Sequence, residues 1–352
     1  MRLGLNLGYW GPGGAPTDLV ANAVLADTLG YDSVWAAEAY GSDAVTVLSW
    51  VGACTQRVRL GSAVLQIPAR TPAMTAMTAA TLDMLSGGRF QLGLGVSGPQ
   101  VSEGWHGVRF AAPLARTREY VEIVRMALAR RTLEHAGRFW TLPLPDGPGK
   151  ALRLTIRGHR PDLPVYLAAV GPKNLELTGE IADGWLAIFY SPEHSGDLLD
   201  AIEKGRRASG RADAAAPMAG FDVVATVPVV LHDDVERAAD AVRPYCALYL
   251  GGMGSREKNF YNQLACRMGY EEQAARVQDL FLAGRPREAA AAVPLEFIDE
   301  TALIGPADRI ARRIGRYATA GVTTLAVAPH APTGEGQRTI LRALAELVPG
   351  TD

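Results

Sequence analysis

Eight times along the chain, a short run rich in Val, Leu and Ala gives way to a polar or Gly/Pro turn and then to a longer segment of helical period. The runs are 2–8 "RLGLNLG", 33–38 "SVWAAE", 59–65 "RLGSAVL", 90–96 "FQLGLGV", 164–170 "PVYLAAV", 185–189 "WLAIF", 222–230 "DVVATVPVV" and 323–328 "TTLAVA". Helices are expected over 17–29, 43–54, 72–86, 113–134, 172–182, 193–209, 234–249 and 335–348. Strands that are apolar almost throughout belong to a parallel sheet covered on both faces. Eight such units favour a closed (β/α)8 TIM barrel of the α/β class over an open, doubly wound sheet. Two stretches break the beat, approximately 135–163 and 250–320. Neither repeats the unit or shows a core of its own, so both read as insertions, after strands 4 and 7, in a single barrel domain over 1–352.

The run "RFQLGLGVSGP" matches G-x-G-x-x-G at Gly93, Gly95 and Gly98. In a dinucleotide-binding fold that motif closes the first strand and opens a helix at once. Here three strand–helix units come first, and the next long helix begins only near Pro113. The match is therefore a coincidence of letters. What remains is a strand whose Gly93 and Gly95 admit a close neighbour, ending in a small polar mouth at Ser97 and Gly98.

Composition narrows the function classes. With 48% hydrophobic and 20% charged residues, the chain can bury a large core. A formal net charge of −2 offers no field for nucleic acid or an anionic membrane. Cys54, Cys246 and Cys266 are odd in number and far apart, which argues against a disulfide framework and against a zinc site, so no metal is expected. The start, "MRLGLNLGYWGPGG", lacks the apolar region of a signal peptide, and no stretch approaches the ~18 apolar residues of a membrane span. A cytoplasmic protein without membrane or nucleic-acid partners is expected.

Several segments carry a resemblance. "LGSAVLQIPARTP", "LDMLSGGRFQLGLGVSG", "RTREYVEIV" and "PVYLAAVGPKNLELTGEIADGW" together resemble the luciferase-like monooxygenase superfamily. They are most similar to its actinobacterial branch of coenzyme F420-dependent oxidoreductases. The resemblance runs from "GLNLGYW" through "ALIGP" to "AGVTTLAV", nearly the whole chain. It implies a (β/α)8 barrel with the site at the C-terminal mouth, a deazaflavin cofactor, and hydride transfer to or from an organic substrate. FMN is the alternative cofactor.

Barrel chemistry sits where strands end, which selects Asn6, Glu38, Ser62, Ala63, Val64, Val96, Ser97, Gly98, Ala169, Val170, Gly171, Pro172 and Phe189 as candidate cofactor contacts. Gly171 and Pro172 lead from a strand into a helix, whose positive N-terminal end suits an anion. The resemblance implies that this loop holds the cofactor's phosphate. It also implies a cis peptide at Ala63–Val64 that backs the ring. Glu38 ends an apolar strand, where a purely structural strand seldom places a charge. It can serve proton transfer or bind the cofactor; pairing with one of the many arginines, or capping the next turn, is the alternative. Related enzymes carry an Asp-His pair here, whereas this chain has Ala39 and Tyr40 after Glu38. Where the sugar-phosphate dehydrogenases of the family have a proton-donating Glu, it has Pro99, which counts against that activity.

His330 and His106 are the other acid/base candidates. Tyr9, Trp10, Trp105 and Phe189 are candidates for an apolar wall. The stretch "GGMGSREKNFYNQL" is either a lid, with Arg256 and Lys258 facing the cofactor's acidic tail, or a solvated turn. Three functions are compatible with these residues: an F420-dependent oxidoreductase reducing C=C, C=N or C=O or running the reverse, an FMN-dependent monooxygenase, and a non-catalytic deazaflavin- or flavin-binding protein. The expected partners are a small-molecule or peptide substrate and a second copy of the chain in a homodimer.

Overall fold

The computed structural model describes residues 1–10 and 16–348. Its eight long strands are β1 (Arg2–Gly8), β2 (Ser33–Ala36), β3 (Arg59–Ser62), β4 (Phe90–Gly95), β5 (Val165–Ala168), β6 (Gly184–Ile188), β7 (Asp222–Leu231) and β8 (Thr324–Pro329). Each pairs in parallel with the next. β8 returns to β1, with Val327 beside Leu5, so the sheet closes into the expected barrel. No helix among the described residues is long and apolar enough to cross a membrane.

The outer ring consists of α1 (Pro16–Leu29), α2 (Ala44–Cys54), α3 (Pro72–Leu85), α4 (Pro113–Leu128), α5 (Pro172–Ile181), α6 (Gly196–Ala208), α7 (Ala307–Thr319) and α8 (Gly334–Leu347). Local chemistry starts these helices. Pro occupies the first turn of α3, α4 and α5, where its missing N–H has no helical partner to lose. Asp43 caps α2 by accepting from the Thr46 N–H at 2.7 Å.

Inside the barrel, Trp35, Tyr166, Leu186, Val224 and Ala326 form one packed cluster, with Trp35 edge-on to Tyr166 at 5.3 Å. Gly61 makes this possible, because a Cβ there would lie 2.1 Å from the Trp35 ring. The space between strands and helices holds the main core, including Leu92, Leu94, Ile310 and Tyr317.

One expectation is corrected. The sequence places a helix over 234–249 among the eight that follow the barrel strands, and an insertion over approximately 250–320 without a core of its own. In the structure, Ala238, Val242 and Cys246 of that helix, Val235–Ala247, pack with Val277, Ala289 and Phe297 in a second hydrophobic cluster. The ring position after β7 is taken by α7, whose Ile310, Ile314 and Tyr317 join the main core. The extra segment therefore lies between β7 and α7, at 232–306. Helical periodicity shows that one face is apolar but not which core it meets. The 135–163 stretch forms a short hairpin, His135–Ala136 with Thr141–Leu142, and its Trp140, Leu154 and Ile156 pack on the main core.

Candidate functional site

A cavity of about 1460 Å³ opens at the C-terminal ends of the strands. This exceeds the ~300–1,000 Å³ of ordinary ligand pockets, enough for a ring cofactor and a substrate together. Leu5, Ala168, Leu186, Thr226 and Ala328 give it a small, largely apolar floor. Asn6 donates from Nδ2 to Thr226 Oγ1 at 2.9 Å, and its Oδ1 accepts from the Gly8 N–H at 2.6 Å. Its amide thus ties β1 to β7 over the floor.

Strand 3 reaches the cavity through Ala63 and Val64, which are joined by a cis peptide. Ser62 behaves differently. It is wholly buried, donating to the Gly93 carbonyl at 2.8 Å and accepting from the Gly93 N–H at 2.9 Å. A Cβ on Gly93 would lie 1.9 Å from the Ser62 carbonyl oxygen, and one on Gly95 would lie 2.5 Å from Val64. The close neighbour that the strand-4 glycines admit is therefore strand 3 itself.

Glu38 lies on the cavity edge with both oxygens engaged. Arg70 grips the carboxylate with two nitrogens, Nη2 donating to Oε2 at 3.0 Å, while Oε1 also accepts from the Gln66 N–H at 3.0 Å and Oε2 from the Ala44 N–H at 3.3 Å. Burial opposes the charge on Arg70, but the Glu38 carboxylate outweighs it and raises the guanidinium pKa. The pairing with an arginine is thus what the geometry shows. Gln66 extends the network, donating to the Ala39 carbonyl at 2.8 Å and accepting from Ser97 Oγ at 2.6 Å. The loops after strands 2, 3 and 4 are locked together by it. Ser97, with φ of +61°, and Gly98 face the cavity. Val96 turns into a small recess against Ile67 and Pro113.

The loop after β5 stands beside the cavity, past Ala168. Ala169 is buried and its carbonyl accepts from Trp185 Nε1 at 2.9 Å, while Arg267 donates to the Val170 carbonyl at 2.9 Å. Gly171 caps α5 in extended backbone, and no atom lies within 4 Å of where its Cβ would be. Pro172 in the first helical position has no N–H, and the Asn174 and Leu175 N–H groups both return to the Gly171 carbonyl at 3.0 Å, so what this turn offers is the positive end of α5 beside the open space at Gly171.

The roof comes from the inserted segment: Tyr245, Leu248, Tyr249, Met253, Phe260 and Tyr261. Phe189, expected on the cofactor, is instead buried at the centre of this aromatic group, 5.5 Å from Tyr245 and 5.6 Å from both Tyr249 and Phe297. Burial pushes the Tyr261 phenol up to about 12, with Tyr9 adding to the shift, and raises those of Tyr245 and Tyr249 as well. All three stay protonated at neutral pH.

His330 lines the cavity edge-on to Tyr245 at 5.8 Å. Burial lowers its pKa, against the opposing pull of a hydrogen bond to the Ala241 backbone. His106 lies off the cavity, and its buried Nε2 has no partner among the described residues. Tyr9 faces the cavity, Trp10 packs on the barrel core and Trp105 is exposed. Arg256 pairs with Asp279, and Lys258 is exposed.

The reading of the sequence missed Arg70, Gln66 and the roof tyrosines. Arg70 stood inside the segment "LQIPAR", but nothing local ties it to Glu38. Tyr245 and Tyr249 stood four residues apart on one helical face, a detectable signal.

The family model for luciferase-like monooxygenases matches residues 4–324. The chain is 47% identical over 334 residues, 93% of its length and 94% of the relative's, to the Mycobacterium tuberculosis protein named "Putative coenzyme F420-dependent oxidoreductase Rv3520c". It is 28% identical to the 5,10-methylenetetrahydromethanopterin reductase of Archaeoglobus fulgidus, over 92% of this chain and 93% of that one. Among solved structures, the coenzyme F420-dependent tetrahydromethanopterin reductase of Methanopyrus kandleri superposes with a TM-score of 0.82 at 23% identity, covering 99% of this chain and 98% of the other. With this fold, this mouth and these matches along its length, the chain belongs to the luciferase-like monooxygenase family.

Proposed function

We propose that the protein is a coenzyme F420-dependent oxidoreductase that moves a hydride between the deazaflavin and a small organic molecule, reducing C=C, C=N or C=O or running the reverse. The observation that carries this reading is the 47% identity over 93% of the chain to a relative whose name carries that cofactor.

The residues present fit such a group. Ala63 and Val64 would back the ring, above a floor of Leu5, Ala168 and Thr226. The turn at Gly171, open where a Cβ would stand, would take the phosphate. When bound, the deazaflavin supplies a hydride; carbon replaces the flavin nitrogen that supports oxygen chemistry. The roof of Tyr245, Tyr249 and Tyr261 keeps water from the reacting atoms. His330, half-buried on the cavity and with its pKa lowered by desolvation, would hold or accept the substrate proton on its imidazole. Glu38, saturated by Arg70, acts as a positioning residue that fixes the Gln66–Ser97 side of the mouth.

Fluorescence titration tests the assignment. F420 should bind at low micromolar concentration or tighter, roughly −8 kcal/mol, and FMN much more weakly. Reduced F420 should be oxidised by substrate without oxygen. Tight FMN binding with stoichiometric oxygen consumption would install the monooxygenase reading instead. F420 binding with no turnover across a broad substrate panel would support a binding protein.

A homodimer is part of the proposal. Trp50 on α2 is 66% exposed, and Met74, Met77, Met84 and Leu85 lie exposed along α3. Large apolar side chains gathered on neighbouring helices suit an isologous contact. The three cysteines are free, which supports a reducing compartment.

A further inference from the structure

We infer that the substrate is uncharged and largely apolar, a ketone, aldehyde or conjugated alkene of ring size or larger, held by the wall that the inserted segment builds over the barrel mouth. This inference rests on the proposed function for the reaction and on the cavity for the substrate class.

The charges on the cavity lead to it. Of the described residues that line it, Glu38 and Arg237 are the only ones with a permanent charge, and neither is free to anchor a buried ion. Glu38 already accepts two backbone N–H groups and the Arg70 guanidinium. Arg237 stands at the rim, its side chain 76% exposed, 3.7 Å from Asp234. His232 is exposed, and His330 is held neutral by its surroundings. A phosphate or carboxylate carried into this space would lose its hydration and gain no buried cation, which is costly. An ammonium group would meet no carboxylate with spare acceptors.

What the cavity does offer is apolar surface with hydroxyl groups. Leu248, Met253 and Phe260 supply the first, and Tyr249 and Tyr261 the second. A protonated phenol donates one hydrogen bond, which suits a carbonyl oxygen. These side chains come from two helices and the turn between them, and the second hydrophobic cluster fixes those helices to the barrel. The insertion therefore defines the substrate side, whereas the strand ends define the cofactor side.

Matched probes separate the classes. Benzalacetone and cinnamate share an aromatic ring and a conjugated C=C, but the first is a neutral ketone and the second a carboxylate. Calorimetric titration of the protein with and without F420 should give benzalacetone at least ten-fold tighter binding than cinnamate, and no detectable binding of glucose 6-phosphate. Met253→Lys puts a cation on the wall at a partly exposed position and should shift the benzalacetone-to-cinnamate ratio at least ten-fold toward cinnamate. Tyr261→Phe should weaken benzalacetone while leaving F420 affinity within two-fold.

Equal or tighter binding of cinnamate or glucose 6-phosphate to the unaltered protein overturns the inference. So does an absence of binding by benzalacetone, 2-cyclohexen-1-one and carvone alike. Because the probes are read without turnover and also without F420, failure to bind the cofactor counts against the proposed function and leaves the substrate-class result standing.

Discussion

Arg70, just past the strand-3 end of the barrel, closes both carboxylate oxygens of Glu38 at the end of strand 2, a pair buried to 16% and 7% side-chain exposure. Removing the guanidinium leaves a buried carboxylate with only two backbone donors. Arg70→Ala should cost about 3–5 kcal/mol in denaturant unfolding, and the Glu38→Gln/Arg70→Ala double variant less than the two single losses combined. A loss below ~1 kcal/mol would show the pair to be incidental. Since Glu38 is saturated, Glu38→Gln should leave the pH profile of turnover in place; a displaced profile would make Glu38 a proton-transfer group.

Gly171 separates sterics from charge. With open space where its Cβ would stand, Gly171→Ala should change F420 affinity by less than two-fold. Gly171→Asp places a negative charge where the phosphate is proposed and should weaken binding more than ten-fold, at least ~1.4 kcal/mol. Equal affinities for the two variants, both folded by circular dichroism, would remove the phosphate from this turn.

Gly93 makes the opposite prediction. Its Cβ would lie 1.9 Å from the Ser62 carbonyl oxygen, strand-3 backbone that cannot step aside, and 2.7 Å from Leu186 Cδ1. Gly93→Ala should destabilise the barrel by about 3 kcal/mol or more, visible as a lowered Tm of the cofactor-free protein. A Tm within 2 °C, the effect of about 1.5 kcal/mol or less in a chain of this size, would contradict the packing account.

His330 sets an acid-side dependence. Its folded pKa lies below the unfolded value of ~6.5, so the unfolded chain binds the proton first as pH falls. Its contribution to stability is level above about pH 6.5 and declines with falling pH down to the lowered folded pKa. His330→Gln should remove up to one proton, ~1.4 kcal/mol per pH unit, from the slope in that window, read from urea unfolding between pH 5 and 7.5. Unchanged slopes would mean that His330 titrates as in the unfolded chain.

The exposed face of α2 and α3 predicts oligomeric state. Trp50→Glu combined with Met77→Glu should convert a dimer to a monomer in light scattering, without loss of helical signal. A monomeric unaltered protein at tens of micromolar would end the dimer proposal.

Much of the architecture was already determined along the chain. The alternation of apolar runs with helical segments located all eight barrel strands to within a few residues, because strand and helix periods are local properties of the backbone. The turn at Gly171 and Pro172 was legible for the same reason, since a cap depends on its own few residues. Only the tertiary structure decided what each mouth residue meets. Gly93 faces Ser62, 31 positions away, and Glu38 meets Arg70, 32 positions away, because strands distant in sequence end side by side. Phe189 closes the roof's own core instead of the cofactor wall because the segment 232–306 folds around it. Spacing reports the face on which a side chain stands; closure of the barrel chooses its neighbour, and with it whether a polar group is free to act or already satisfied.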